Sequence, residues 1–449
     1  MRFQMAMLIV VSLLISASLA VAEECPAAPG WFSAGGAPVP SNSEPSRGND
    51  CEFYQRAWQT FLYVTDNIDG TPRLLSYKTY SEVFGTDPKV GSLGAVANAK
   101  GRMLELAPRL MKAAQTTDAE DVLQAGSNAI LLDTSGRPIF YNIFMNPTFV
   151  DFVQTKGYNQ LAKLQAAPAT EELPVGAVEF KAAWQIVDDA NPPKDRIVVQ
   201  AQVPWLIAAD HGKLKVDKSR PSRTVTVSLI GLHVVIRTEG HPEMIWATFE
   251  YDRNAPSAKG NPTTPNAGCV NQFEPKDDAI ANDASPYLLF SSDGAVNQKP
   301  QSLLVKDDPK QIFEAQPKTA IARSFPFSAC SPGRAQPLAI TEIDGAIVAV
   351  NESAKSQLAD PARKSYSLIG AVWLDEPRNP NDKYGFKEDR SFEDFELGGE
   401  NRLSSASMES FTQIGSPNCF TCHDTSSKGN LDPKRLSVSH IFRRFSLGH

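Results

Sequence analysis

The sequence predicts a body of α+β or mainly β class, with a short helical C-terminal segment packed against it. Three observations carry that expectation. Apolar runs of strand length, bounded by Gly, Pro, Asn and Asp, recur through the middle of the chain. The 33 prolines and 28 glycines imply many turns and long loops, which a helical bundle does not need. Apolar residues at helical spacing occur only in isolated stretches, and no internal repeat or low-complexity tract is present.

The first stretch, MRFQMAMLIVVSLLISASLAVAEE, has a basic start at Arg2, an apolar run and small residues at Ala20–Val21–Ala22. That is the layout of a secretory signal peptide, with cleavage expected after Ala22. The run is short for a bilayer, and no later stretch is long and apolar enough to span one. A periplasmic or secreted protein is therefore expected. Residues 1–22 are assigned to the signal, 23–400 to the body and 401–449 to the C-terminal segment. A hydrophobic content of 42% with 21% charged residues supplies a globular core. The formal charge of −7 argues against general nucleic-acid binding.

After an extended Pro-, Gly- and Ser-rich lead-in, CEFYQRAWQTFLYV places Tyr54, Ala57, Trp58, Phe61 and Leu62 on one helical face. GSNAILLDTSGRPIFYNIFMN reads as two strands around an Asp133–Gly136 turn. Further strands are expected at Ala177–Val187, Arg196–Val203, Thr224–Thr238, Glu243–Tyr251 and Tyr366–Leu374, and a helix within Ile340–Leu358. The turn residues Glu239–Pro242 predict a hairpin in which Ile236 faces Ile245, Val234 faces Ala247, Leu232 faces Phe249 and Ile230 faces Tyr251. The opposite face then pairs Arg237 with Met244, Val235 with Trp246, and His233 with Thr248. Both faces are largely apolar, so the hairpin is expected at the centre of a covered sheet. NRLSSASMESFTQ reads as a short helix stopped by Gly415, Ser416 and Pro417. Asp432 and Pro433 look like the start of a last helix, with Val438, Ile441, Phe442 and Phe445 as its apolar stripe.

Four of the six cysteines, Cys25, Cys51, Cys269 and Cys330, are scattered, which in an oxidising compartment suggests two disulfides. Three pairings exist; Cys25–Cys51 with Cys269–Cys330 closes the more modest loops. The other two stand in NCFTCHD, Asn418–Asp424. C-x-x-C-H is the spacing of c-type haem attachment: two thiols form thioethers to the porphyrin, and the next residue brings an imidazole under the iron. Cys419 and Cys422 are the expected anchors of one covalent haem c, with His423 as its proximal ligand. A zinc site needs a second close Cys/His pair, and none exists in the sequence. A thioredoxin-type motif belongs between a strand and a helix of a βαβ unit, which this position after Pro417 does not provide.

The segment from residue 401 is too short to enclose a porphyrin alone, so haem is expected between it and the body. His440 is the nearest downstream candidate for the iron's far side, and Met408 and Met244 are weaker ones. His233 and Met244 share a hairpin face but lie roughly 13 Å apart, so they cannot serve one iron together. His241 reads as a turn residue, His211 and His449 carry little signal, and an open sixth position is the remaining alternative. The basic residues Lys434, Arg435, Arg443 and Arg444 either guide an acidic redox partner or pair structurally with haem propionates or with the acidic Lys387–Glu400 stretch. No G-x-S-x-G, H-E-x-x-H, phosphate-loop or G-x-G-x-x-G motif occurs.

GLHVVIRTEGHPEMIWATFE, FKAAWQIV and SMESFTQIGSPNCFTCHDT, in this order, resemble a family of exported bacterial proteins with one C-terminal haem motif, the cytochrome c family proteins. The resemblance implies haem at Cys419, Cys422 and His423 and carries no reaction, substrate or distal ligand. Electron transfer to a redox partner protein is the expected function. The alternatives are a haem-dependent oxidoreductase, peroxidase-like or oxidase-like, acting on a small-molecule substrate with His233 as an acid–base group, and a haem-based sensor or binding module.

Overall fold

The computed structural model describes residues 25–33, 35–46, 48–85, 95–98, 101–108, 130–209, 213–256, 286–324, 343–377, 395–400, 403, 405–413, 419–421, 423 and 434–446. The signal segment, Cys269, Cys330, His211, Cys422 and His449 lie outside them, as do the expectations that rest on those residues.

The fold is α+β. Its sheet strands are β1 (Lys78–Thr79), β2 (Ala95–Asn98), β3 (Gly101–Glu105), β4 (Ala107–Pro108), β5 (Ile139–Met145) and β6 (Val178–Ile186), followed by β7 (Val198–Val203), β8 (Arg223–Ile236), β9 (Ile245–Tyr251), β10 (Tyr366–Pro377) and β11 (Phe395–Gly399). The main path runs β11-β10-β9-β8-β6-β5-β1, every neighbouring pair antiparallel. The long β8 also pairs with β7, which carries the single parallel neighbour β3.

The helices are α1 (Asp50–Thr65), α2 (Tyr80–Phe84), α3 (Pro147–Lys156), α4 (Leu161–Gln165), α5 (Ile343–Gln357) and α6 (His440–Ser446). In α1, Asp50 and Glu52 favour the positive helix start. Its apolar stripe of Tyr54, Trp58 and Phe61 is fully buried on one face of the sheet, with Phe61 stacked on Phe249 of β9. A disulfide joins Cys51 in its first turn to Cys25 of the lead-in, as expected. The other sheet face is covered by α3, α4 and the C-terminal segment, where Val235, Trp246 and Val372 pack with Phe149, Phe420, Val438 and Phe442.

The hairpin register is as expected for Ile236–Ile245, Val234–Ala247, Leu232–Phe249, Val235–Trp246 and His233–Thr248. It departs at the loop: Arg237 does not pair with Met244. Instead its N–H donates to Ala177 O, and its carbonyl accepts from Gly176 N, so the chain leaves the ladder after Ile236. Met244 takes φ 68°, a left-handed conformation, just before β9 begins.

Two helical expectations are corrected. Residues 405–413 form turns, because Ser405 Oγ accepts from the N–H groups of Ser407 and Met408, and Ser410 Oγ donates to Ala406 O. Such side-chain bonds to nearby backbone compete with a helix. The last helix starts at His440, not near Pro433; a 3-10 turn at Arg435–Val438 precedes it, and Ser439 between them is extended. Ahead of β5, the described residues 130–138 hold an isolated Leu132–Pro138 bridge; the earlier part of the first strand expected there lies outside the described residues.

Candidate functional site

Cys419–Thr421 form a 3-10 turn, and His423 N–H donates to Cys419 O at 2.9 Å. That helical i-to-i+4 bond brings the side chains of Cys419 and His423 to one side of the turn. Cys419 is half-buried against the apolar cluster that holds Trp246 and Phe420.

His423 Nδ1 lies 2.9 Å from Val438 O. A carbonyl only accepts, so Nδ1 carries the hydrogen and Nε2 keeps its lone pair. Burial, the largest cause, pushes the imidazole down to about 3; Lys181, Arg443 and His233 act in the same direction, while the Val438 bond opposes them. The ring touches Trp246 (centroids 4.0 Å apart) and His440 (3.6 Å apart, 22° between planes). A neutral imidazole with one nitrogen tied to a backbone carbonyl is what a metal-ligating histidine requires. The described part of the C-x-x-C-H motif therefore fits a haem attachment site.

Beneath this segment the antiparallel register lines up two rows across the sheet. One is Ile143, Lys181, His233, Thr248 and Gly370; the next is Met145, Glu179, Val235, Trp246 and Val372. Polar groups in these rows bond the C-terminal segment. His233 Nδ1 lies 2.8 Å from Thr248 Oγ1 and its Nε2 lies 3.1 Å from Glu409 Oε1. Ser439 Oγ donates to Glu179 Oε2 at 2.5 Å. On the other side of the His233 row, where Gly231 pairs with Glu250, Glu250 Oε1 accepts from Ser405 Oγ and Ser407 N, while Arg323 pairs with its other oxygen. Burial pushes the Glu179 carboxyl up to about 7, against the Ser439 bond and Lys181. Burial also raises Glu409, but the His233 charge and hydrogen bond, with Lys181 and Ser405 N, outweigh it and hold that carboxyl below its usual value.

The candidate ligands and anchors scatter accordingly. His440 lies beside His423, with Arg443 Nη1 donating to its Nε2 at 3.0 Å. Imidazoles on opposite sides of one metal have nitrogens about 4 Å apart and ring centres further out, so these stacked rings are not in that arrangement. Met244 shares the apolar cluster of Trp246 and Phe420, whereas Met408 is buried in a separate one with Tyr141, Ala183 and Ile230. His241 bonds Glu243 at 2.7 Å and meets Phe53 edge-on, away from the motif.

The basic tail is anchored. Lys434 Nζ donates to the carbonyls of Leu164, Gln165 and Ala167, which cap α4, and Arg435 pairs with Glu172. Arg444 lies over the Tyr80 ring. The partners of these cations are backbone carbonyls, Glu172, a tyrosine ring and His440; the acidic stretch expected to pair with them lies mostly outside the described residues. Glu179, Lys181 and Glu409 were missed in the sequence, although two charges at i and i+2 in VEFKAAWQI mark one face of an otherwise apolar strand.

No protein-family model matches the chain, no curated protein matches it, and no solved structure matches it.

Proposed function

We propose that this chain is an exported single-haem c-type cytochrome that transfers electrons to a redox partner protein. Haem c is held as thioethers at Cys419 and Cys422, with His423 as the proximal ligand. The observation that carries this reading is His423 itself, neutral, with Nδ1 tied to Val438 O and Nε2 left as the donor. When bound, the haem supplies a one-electron couple. The chain orients His423 through Val438, packs Trp246 and His440 against its ring, and closes the segment over the body through Glu409, Ser405 and Ser439.

A haem-dependent oxidoreductase is the second reading, favoured by the His233–Glu409 pair. A half-buried imidazole held between a hydroxyl and a carboxylate is built to carry a proton. For the far side of the iron, Met244, in the apolar cluster of Trp246 and Phe420, stands ahead of Met408 in its separate cluster and of His440 stacked on His423, with an open position as the alternative.

The first experiment is co-expression with a haem-maturation system, followed by absorption spectra of the reduced protein with and without carbon monoxide. Expected is covalent haem that survives denaturation and is lost in Cys419→Ala, with a spectrum that carbon monoxide leaves unchanged. A prompt carbon monoxide shift favours the oxidoreductase, and absence of haem removes both readings. Mass spectrometry of the exported chain is expected to find Glu23 at its start.

A further inference from the structure

His233 of β8 has a different partner on each ring nitrogen. Nε2 lies 3.1 Å from Glu409 Oε1, and Nδ1 lies 2.8 Å from Thr248 Oγ1 of β9. The Glu409 carboxyl, held below its usual value despite burial, is ionised and only accepts, so Nε2 carries a hydrogen. A hydroxyl works in both directions: Thr248 donates to Nδ1 of the neutral ring and accepts from Nδ1 of the charged one. The site therefore satisfies both protonation states with no more than a turn of that hydroxyl. His423 has no such freedom, because its Nδ1 is fixed on a carbonyl.

This ring stands close to the haem motif. His423 rests on Trp246, and Thr248 follows two residues on along the same face of β9, about 7 Å away. Burial disfavours a cation at His423, and the charges of Lys181, Arg443 and His233 add to that effect. Coupling is reciprocal, so positive charge arriving at His423 disfavours a cation at His233. Lys181 flanks His233 on β6 and opposes its cation, while Glu409 favours it. Glu250 is paired with Arg323, Arg443 with His440, and Glu179 is protonated up to about pH 7. The His233 and Glu409 side chains are 14% and 12% exposed, which leaves the imidazole in reach of solvent protons.

We propose that electron transfer in this protein is coupled to a proton, which His233 takes from solvent on reduction of the haem and returns on oxidation; the inference rests on the cytochrome reading. One electron in removes one unit of positive charge at the metal held by His423, and the cation at His233 then costs less. The balance is one electron and one proton, with no substrate involved. The proton settles on Nδ1, whose hydrogen bond to Thr248 reverses as it arrives. At the separations of this face, a unit charge changes the proton affinity of a neighbour on the order of tenfold.

The test is a spectroelectrochemical titration of the haem-loaded mature chain between pH 5 and pH 8 at constant ionic strength, after mass spectrometry has confirmed covalent haem. Expected is a midpoint potential that falls by about 60 mV as pH rises, the equivalent of a tenfold change for one electron. His233→Gln, which still donates to Glu409, is expected to abolish the fall, whereas a purely structural role would shift the potential equally at every pH. Thr248→Val keeps the imidazole but deprives its cation of an acceptor, and is expected to move the fall to lower pH. Glu179→Gln is expected to keep the fall. A pH-independent potential in the parent overturns the proposal. So does a fall that survives His233→Gln, stays in place in Thr248→Val or disappears in Glu179→Gln; the first of these assigns the proton to a haem propionate or another group. A chain without covalent haem fails at the mass spectrum, which removes the cytochrome reading itself and this proposal with it.

Discussion

Glu179 is a buried carboxyl that accepts from the Ser439 hydroxyl, and its pKa of about 7 has a consequence for stability. The folded chain holds a proton there that the unfolded chain releases near pH 4.5. Between those values the folded state binds more protons, so this group's contribution falls as pH rises through about 4.5 to 7 and is lost above it. The size is about 3 kcal/mol. Denaturant titrations at pH 5 and pH 8 are expected to show that loss, and Glu179→Gln to flatten it. His233 makes a second residue-scale case. Truncating it to Ala leaves Glu409 buried without its imidazole, at a cost of about 3–5 kcal/mol; chemical denaturation measures this directly. His233→Gln, which can still donate to Glu409, is expected to recover part of the loss.

At the scale of elements, α1 and the C-terminal segment do opposite jobs on opposite sheet faces. The α1 stripe is packing: Trp58→Ala removes a fully buried indole whose Nε1 donates to Asn351 Oδ1, and is expected to cost about 3–5 kcal/mol. The α1 stripe was legible because a 3.6-residue period points one way whatever lies opposite. The β8–β9 register was legible for a similar reason, since a slip of one residue would exchange Leu232 and His233 between faces. The 405–413 stretch was not. Its apolar spacing suits a helix, but its serines bond their own backbone and Glu250, a residue far away in sequence. Gly231 of β8 lies directly beneath that stretch, and a Cβ there would overlap Ser407 Oγ. Gly231→Ala is therefore expected to loosen the C-terminal segment, read as faster proteolysis within residues 401–449 while the far-ultraviolet spectrum of the body is retained.

On the scale of the whole molecule, the sheet is one layer between α1 with α5 and the C-terminal segment with α3 and α4. The Cys25–Cys51 disulfide ties the lead-in to α1 across a separation of 26 residues. Closing a loop of that size stabilises by about 3–4 kcal/mol in the chain-entropy account. Reduction is expected to lower the thermal midpoint by several degrees, and Cys25→Ser with Cys51→Ser to reproduce the shift. The sequence alone determined what depends on neighbours along the chain: the export layout, C-x-x-C-H, the α1 stripe and the alternation of the strands. Tertiary structure decided which groups meet: Val438 O on His423, His440 beside that ring, Glu409 on His233 and Ser439 on Glu179. A backbone carbonyl is the same atom in every residue, and a cross-sheet partner is set by registers among strands far apart in sequence. Neither leaves a mark in the order of the amino acids.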